Sequence, residues 1–332
     1  MHLLITGGAG YIGSIVAELA VAAGHDVVVL DDLRAGNREA VPPSCPLVVG
    51  SIDDAAALES CFAIGAYDAV LHLAAEAAIE ASVTDPATYF RANLTGGLAL
   101  LDGMRSHGVR RLVFSSTAAT YGEPQYVPID ENHPQRPINA YGESKLMFET
   151  CLRWYHRAYG LRAISFRYFN AAGATIERGE DRPHETHLLP RALDAVAGRR
   201  PPVQVFGTDY ATPDGTCVRD YVHVIDIARA HLLALDRIDA LGLEWFNLGS
   251  GTGYTVRQVI DTVHEVVGQP VPWTPAGRRV GDPASLVASA QRAEELLGWV
   301  PLRSLSSTVE SAWLWRSRHP HGYRSTAAMT AD

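Results

Sequence analysis

The chain has 332 residues, 47% of them hydrophobic and 20% charged, and a formal net charge of −9. That is an ordinary globular composition with enough apolar material for a core, and the length suits about two domains or one large domain with an appended lobe. An acidic surface disfavours nucleic acid, whose binding is driven by phosphate neutralisation, but leaves room for a nucleotide that needs only a local positive pocket.

Taken in chain order, short continuously apolar runs at Leu3–Thr6, Asp26–Leu30, Pro46–Val49, Ala69–Leu73, Arg111–Ser115 and Arg162–Arg167 read as strands. Between them, Ile12–Ala23, Ala55–Ile64, Thr88–His107 and Ser144–Tyr159 read as helices. Apolar strands separated by helices argue for an α/β fold, a doubly wound parallel sheet of the Rossmann type. Its ligand is expected at the carboxyl ends of the strands. From Asn170 to Thr216 the texture turns rich in Gly, Pro and charge, with one helical stretch near Leu188–Ala197, which suits a smaller lobe over a ligand. Periodic patterns return at Val224–Leu235 and Val256–Val267. The expected division is therefore a dinucleotide-binding domain of 1–169 with a return segment of about 217–248, a C-terminal α/β substrate lobe of 170–216 and 249–324, and a frayed tail of 325–332.

The first strand runs into Thr6-Gly7-Gly8-Ala9-Gly10-Tyr11-Ile12-Gly13, a G-x-x-G-x-x-G spacing that opens a helix. Gly7 allows the tight turn, Gly10 lets backbone N–H groups approach a pyrophosphate, and Gly13 lets the helix pack close to the sheet. The helix N-terminus adds its positive dipole end. The second strand ends at Asp31, which can accept hydrogen bonds from the adenosine ribose hydroxyls and would repel a 2′-phosphate. NAD is therefore favoured over NADP, with Arg34 nearby as the one opposing sign.

Tyr141-Gly142-Glu143-Ser144-Lys145 reads Y-x-x-x-K, and positions i and i+4 share a helix face. An ammonium at Lys145 and a nicotinamide cation would both favour a Tyr141 phenolate, a general base near neutral pH. Ser115-Ser116-Thr117 ends the fifth strand, where a nicotinamide would lie, so a hydroxyl there can bind the reacting oxygen; Thr117 is the expected one.

With these pieces in place, the chain resembles the UDP-sugar 4-epimerases of the extended short-chain dehydrogenase/reductase family from Leu3 to about Gly322. The resemblance rests most on Arg167-Tyr168-Phe169-Asn170, Glu185-Thr186-His187-Leu188-Leu189-Pro190, Phe206-Gly207-Thr208-Asp209-Tyr210, Thr212–Val224 and Trp315–Tyr323. It implies reversible inversion at C4 of a UDP-hexose, by default UDP-galactose and UDP-glucose, through a 4-keto sugar and a tightly bound NAD restored in each cycle. It implies substrate contacts at Thr117, Tyr141, Asn170, His187, Leu188, Val205, Phe206, Arg219, Arg279 and Asp282, with the two arginines on the diphosphate. It extends the cofactor contacts from Gly7, Gly10, Gly13 and Asp31 to Tyr11, Ile12, Asp32, Asn37, Ser51, Ile52, Leu73, Ala74, Ala75, Asn93, Ser115, Tyr141, Lys145 and Tyr168. It also implies a homodimer formed through helices such as Thr88–His107 and Ser144–Tyr159.

Three positions depart from the family pattern. Ala77 stands where better-studied bacterial members carry a lysine near the cofactor phosphates, Ser51 stands in place of an acid near the adenine, and Leu286 stands at the position that gates the sugar 2-substituent. The small Leu286 gate leaves N-acetylated sugars as alternative substrates, and pentoses stay open as a separate alternative. A 4,6-dehydratase needs a carboxylate pair after the threonine, whereas Thr117 is followed by Ala118-Ala119-Thr120. A non-catalytic NAD-binding protein predicts a broken catalytic set, whereas Thr117, Tyr141 and Lys145 are all present. Cys45, Cys61, Cys151 and Cys217 show no metal or disulfide pattern, so no metal is expected. The N-terminal residues lack a basic segment, and no apolar run approaches the ~18 residues of a membrane span, so a cytoplasmic protein is expected, with no membrane or nucleic-acid partner.

Overall fold

The structure is a computed structural model and describes residues 1–279 and 282–323; the expected tail lies outside the described residues. The first part runs β1 (His2–Thr6), α1 (Tyr11–Ala22), β2 (Asp26–Asp31), β3 (Leu47–Val49), α2 (Ala55–Phe62) and β4 (Ala69–His72). It continues through α3 (Ile79–Thr84), α4 (Pro86–Tyr89), α5 (Gly96–Ser106), β5 (Arg111–Thr117), α6 (Ala140–Tyr159) and β6 (Arg162–Tyr168). The second part holds β7 (Asn170–Ala172), α7 (Leu188–Val196), β8 (Val203–Phe206), β9 (Val218–His223), α8 (Val224–Leu241) and β10 (Leu243–Leu248). It ends with β11 (Gly253–Thr255), α9 (Val256–Val267), β12 (Trp273–Ala276), β13 (Ser285–Leu286), α10 (Gln291–Leu297) and α11 (Leu305–Arg318).

Seven parallel strands form the main sheet in the order β10-β6-β5-β4-β1-β2-β3. This is the doubly wound order, in which the chain reverses direction across the sheet between β1 and β4 and leaves a crevice at the strand ends. Leu3, Leu4 and Ile5 are fully buried because helices cover both faces. On one face, α1 and α8 enclose a core that includes Ile15, Val16, Ile227 and Ala234; on the other, α2, α5 and α6 enclose Leu58, Leu101 and Phe148. A third core in the lobe gathers Leu193 of α7, Val263 of α9 and Val309 of α11.

Local signals explain several boundaries. The Asn139 side chain accepts from Gly142 N–H at 2.8 Å and Gly160 closes α6 in the left-handed region, so the helix starts four positions before the expected Ser144. This places Tyr141 in the first turn. The expected continuous helix Thr88–His107 is divided by a π turn over Phe90–Thr95, and α3 precedes it where no element was expected. The expected return segment 217–248 also divides. Strand β9 pairs with β7, β11 and β13 in a small separate sheet, and only α8 and β10 rejoin the main layer. Beyond the lobe strands, α10 and the fully buried Trp299 pack back into the first core, where the Trp299 indole N–H donates to the Asp226 carbonyl at 2.7 Å.

Trp299→Ala empties a filled site that ties the last third of the chain to the sheet. It is expected to lower the unfolding free energy by about 3–5 kcal/mol, measured by chemical denaturation.

Candidate active site

The glycine loop is shaped by close approach of backbone to backbone. Gly7 has φ +75°, and a Cβ there would lie 2.4 Å from the Ala74 nitrogen; a Cβ on Gly13 would lie 2.1 Å from the Gly7 carbonyl oxygen. Gly10 caps α1 with no side chain accepting from the first turn, so its N–H groups stay available to an anion. Tyr11 begins that helix and its hydroxyl donates to the Gly173 carbonyl at 2.6 Å, while Ile12 packs against the adjoining core. Asp31 ends β2 with one carboxylate oxygen on Ala9 N–H and the other on Leu33 N–H, both at 2.9 Å. Burial raises its pKa and those two N–H groups oppose the rise. Each oxygen keeps a lone pair for a ribose hydroxyl. This cradle, with space only for glycine and an oriented acceptor beyond it, fits a dinucleotide.

Around the cradle the expected contacts behave differently. Asp32 is engaged by Arg34 at 2.7 Å, and the Asn37 amide donates to the Asp181 carbonyl at 3.1 Å. Leu73, Ala74 and Ala75 follow β4 at the crevice, and Ser51 follows β3 half-buried. Asn93 sits in the π turn, where its amide bridges Glu76 N–H at 2.9 Å, the Glu76 carbonyl at 3.0 Å and the Ser144 hydroxyl at 2.9 Å. The side chains of Ile52 and Val205, both expected contacts, are buried in the cores beneath α5 and α7, which leaves their backbone to face a ligand.

Tyr141, Lys145 and Thr117 converge at the carboxyl end of β5. Burial raises the Tyr141 pKa, while the neighbouring Thr117 hydroxyl and the Arg182 guanidinium pull it down. Lys145 is 2% exposed and donates to the Ser115 carbonyl at 2.8 Å. Burial lowers its pKa to about 7, against the pull of Glu149. Glu149, a further turn along the same face, accepts from the Ser116 hydroxyl at 2.6 Å and forms a buried ion pair with Arg167, also 2.6 Å. The Tyr141, Lys145, Glu149 spacing of four is the signal by which sequence reasoning could have found this third member. The Tyr168 hydroxyl donates to His231 Nε2 at 2.8 Å, because His231 Nδ1 faces the Ile227 carbonyl.

The lobe supplies the opposite wall. Asn170 opens β7 exposed, and Leu188 begins α7 half-buried. His187 Nδ1 lies 2.7 Å from Glu180, which also holds Arg182 at 2.8 Å. Against the effect of burial, His187 and Arg182 keep the Glu180 carboxyl well below the usual range, and Glu180 raises the His187 pKa. No signal of spacing pointed to Arg182 or Glu180. Arg219 pairs with Asp282, Arg279 lies 3.9 Å over the Phe206 ring, and Leu286 stands opposite Arg219 in the β13–β9 register. Among the described residues the one grouping with metal-ligand geometry is Glu180, Glu185 and His187, and Arg182 already occupies it as a cation.

A glycine-cradled crevice on a doubly wound sheet, with a Tyr–Lys pair at the end of its fifth strand, defines a dinucleotide-dependent enzyme of the short-chain dehydrogenase/reductase class. The chain belongs to the NAD dependent epimerase/dehydratase family, which matches residues 3–249. It is 48% identical to the UDP-glucose 4-epimerase of Corynebacterium glutamicum over 96% of each chain. The crystal structure of UDP-glucose 4-epimerase from Brucella ovis in complex with NAD superposes with TM-score 0.91 at 44% identity, covering 94% of this chain and 97% of that one. That from Bifidobacterium longum in complex with NAD+ and UDP gives TM-score 0.93 at 36% identity, covering 97% of this chain and 100% of that one.

The low Lys145 pKa carries a stability signature. An unfolded lysine titrates near 10.4, so between about 7 and 10.4 the unfolded state binds the extra proton and this group's contribution to stability rises with pH, by up to ~1.4 kcal/mol per unit. The stability difference between the parent and Lys145→Met is expected to grow in the parent's favour from pH 7 to 9.5, measured by denaturant titration at both values.

Proposed function

We propose that the chain reversibly inverts the C4 hydroxyl of a UDP-hexose, with UDP-galactose and UDP-glucose as the default pair and NAD as a resident cofactor restored in every cycle. The observation that carries this is the meeting of Thr117, Tyr141 and Lys145 beside the glycine cradle. The likeness to UDP-glucose 4-epimerases over nearly the whole chain supports the choice of substrate.

Arg219 and Arg279 hold the diphosphate through forked N–H donors, Asp282 the uridine ribose, and Leu188 lies beside the uracil. Asn170, His187 and Phe206 line the same pocket. Asp31 takes the adenosine ribose hydroxyls and the first turn of α1 the pyrophosphate. Thr117 hydrogen-bonds the sugar O4, and Tyr141, as phenolate, takes its proton. The bound NAD accepts a hydride from C4 and later returns it to the opposite face. Lys145, buried against the Ser115 carbonyl, lowers the cost of the phenolate through its charge. The resulting 4-keto sugar turns over about its diphosphate tether, and Tyr141 returns the proton to O4. Binding energy at the diphosphate, remote from C4, supplies the positioning.

Two supporting features bear on assembly and compartment. Met147, Trp154 and Tyr159 of α6 are exposed, which supports a homodimer through α5 and α6. All four cysteines are free and no helix among the described residues is long and apolar enough to cross a membrane, which supports a cytoplasmic location. A second reading, an N-acetylated UDP-hexose pair, draws on the modest volume of Leu286 beside Arg219.

Tyr141→Phe is expected to fold and retain NAD but to lose about 10²–10⁴-fold in turnover, the range of a positioned acid–base group, read by NMR of UDP-galactose conversion without added NAD. Turnover at the parent rate would sink the assignment. Incubating the parent with UDP-N-acetylglucosamine separates the two readings: if that sugar is not epimerised, the Leu286 gate does not admit it.

A further inference from the structure

Glu80 has no part in the mechanism above, yet it grips a residue that does. The Arg279 guanidinium lies 3.9 Å from the Phe206 ring centroid and reaches the Glu80 carboxylate at 3.1 Å. Arg279 follows β12 in the lobe, whereas Glu80 lies in the first turn of α3 on the main layer. The ion pair therefore joins the two walls of the crevice. The α3 end is anchored near the reacting groups. The Tyr89 hydroxyl donates to the Ala78 carbonyl at 2.5 Å, and the Tyr89 ring packs edge-on to Tyr141 with centroids 6.5 Å apart.

The other arginines nearby are held differently. Arg219 pairs with Asp282 inside the lobe, and Arg278 turns to Asp209 and the Tyr210 ring. Among the described residues, Glu80 is the only carboxylate paired with Arg279. Its side chain is 64% exposed and that of Arg279 is 37% exposed, so the pair is screened and readily exchanged. A diphosphate carries more charge and offers oxygens in the geometry of the guanidinium fork, so it displaces a single exposed carboxylate.

We propose that Glu80 is a latch that holds Arg279 across the mouth of the crevice and competes with the nucleotide diphosphate for it. Glu80 thereby sets how tightly the substrate binds and how readily product leaves. This rests on the placement of Arg279 on the diphosphate in the proposed function. The latch makes nucleotide entry an exchange of one anion for another on a fixed cation.

The test is calorimetric titration of the NAD-loaded protein with UDP and with uridine, which lacks the phosphates. Glu80→Gln is expected to tighten UDP about two- to five-fold, the range of an exposed ion pair, and to leave uridine unchanged. The KM for the UDP-sugar should fall by the same factor while kcat does not follow it. Glu80→Asp, which keeps the charge, should stay nearer the parent than Glu80→Gln does. In an Arg279→Ala background, Glu80→Gln should have no effect on UDP. An unchanged UDP affinity in Glu80→Gln, or an equal change for uridine, would overturn the latch while leaving the proposed function standing. A parent protein that binds no UDP would overturn both.

Discussion

Helix α6 is fastened to the end of β5 by two buried side chains, and the geometry of the reacting groups follows from that attachment. Lys145 donates to the Ser115 carbonyl, and Glu149 accepts from the Ser116 hydroxyl one turn further along. Thr117 comes next on the strand and Tyr141 one turn earlier on the helix, so each pair of anchors fixes one of the two hydroxyls that must meet. Arg167, on the adjacent strand β6, neutralises Glu149 and also donates to the Tyr121 hydroxyl at 2.8 Å. A buried carboxylate between a cation and a hydroxyl is strongly directional; removing the cation leaves an unpaired charge in low dielectric. Rigidity at this junction is thus enforced electrostatically as well as by packing.

The same economy of charge runs through the crevice. Arg219 has Asp282, Arg182 has Glu180, and Arg279 has Glu80. A pocket for the diphosphate proposed above would repel itself if its cations stood alone. Pairing each with a carboxylate lets the site be folded and positive on demand, at the cost of competition when the ligand arrives.

Much of this was legible in the sequence because it is encoded locally. The strand–glycine–helix opening, the acid closing β2 and the four-residue spacing of Tyr141 and Lys145 are all short-range patterns, and the sheet follows from apolar runs of the right length. What stayed hidden depends on distant partners. The π turn that presents Asn93 has no distinctive composition, and Thr88–His107 reads as ordinary helix. Ile52 and Val205 are expected ligand contacts whose side chains turn into the cores, Val205 by the alternation of β8 and Ile52 from the turn after β3. Strand β9 continues directly into α8, so only its pairing with β7, β11 and β13 reveals that it belongs to the lobe. The carboxylates that neutralise the arginines, Glu80 above all, lie up to two hundred residues away in sequence and carry no spacing of their own.

The lobe is joined to the sheet at several places: between β6 and β7, between β9 and α8, after β10, and again where α10 and Trp299 return before α11. A body hung on one connection can pivot about it, whereas one sewn on along a seam can only flex. In the proposed reaction, access to carbon 4 therefore falls to individual side chains along that seam, and the sugar turns between walls that flex and do not pivot.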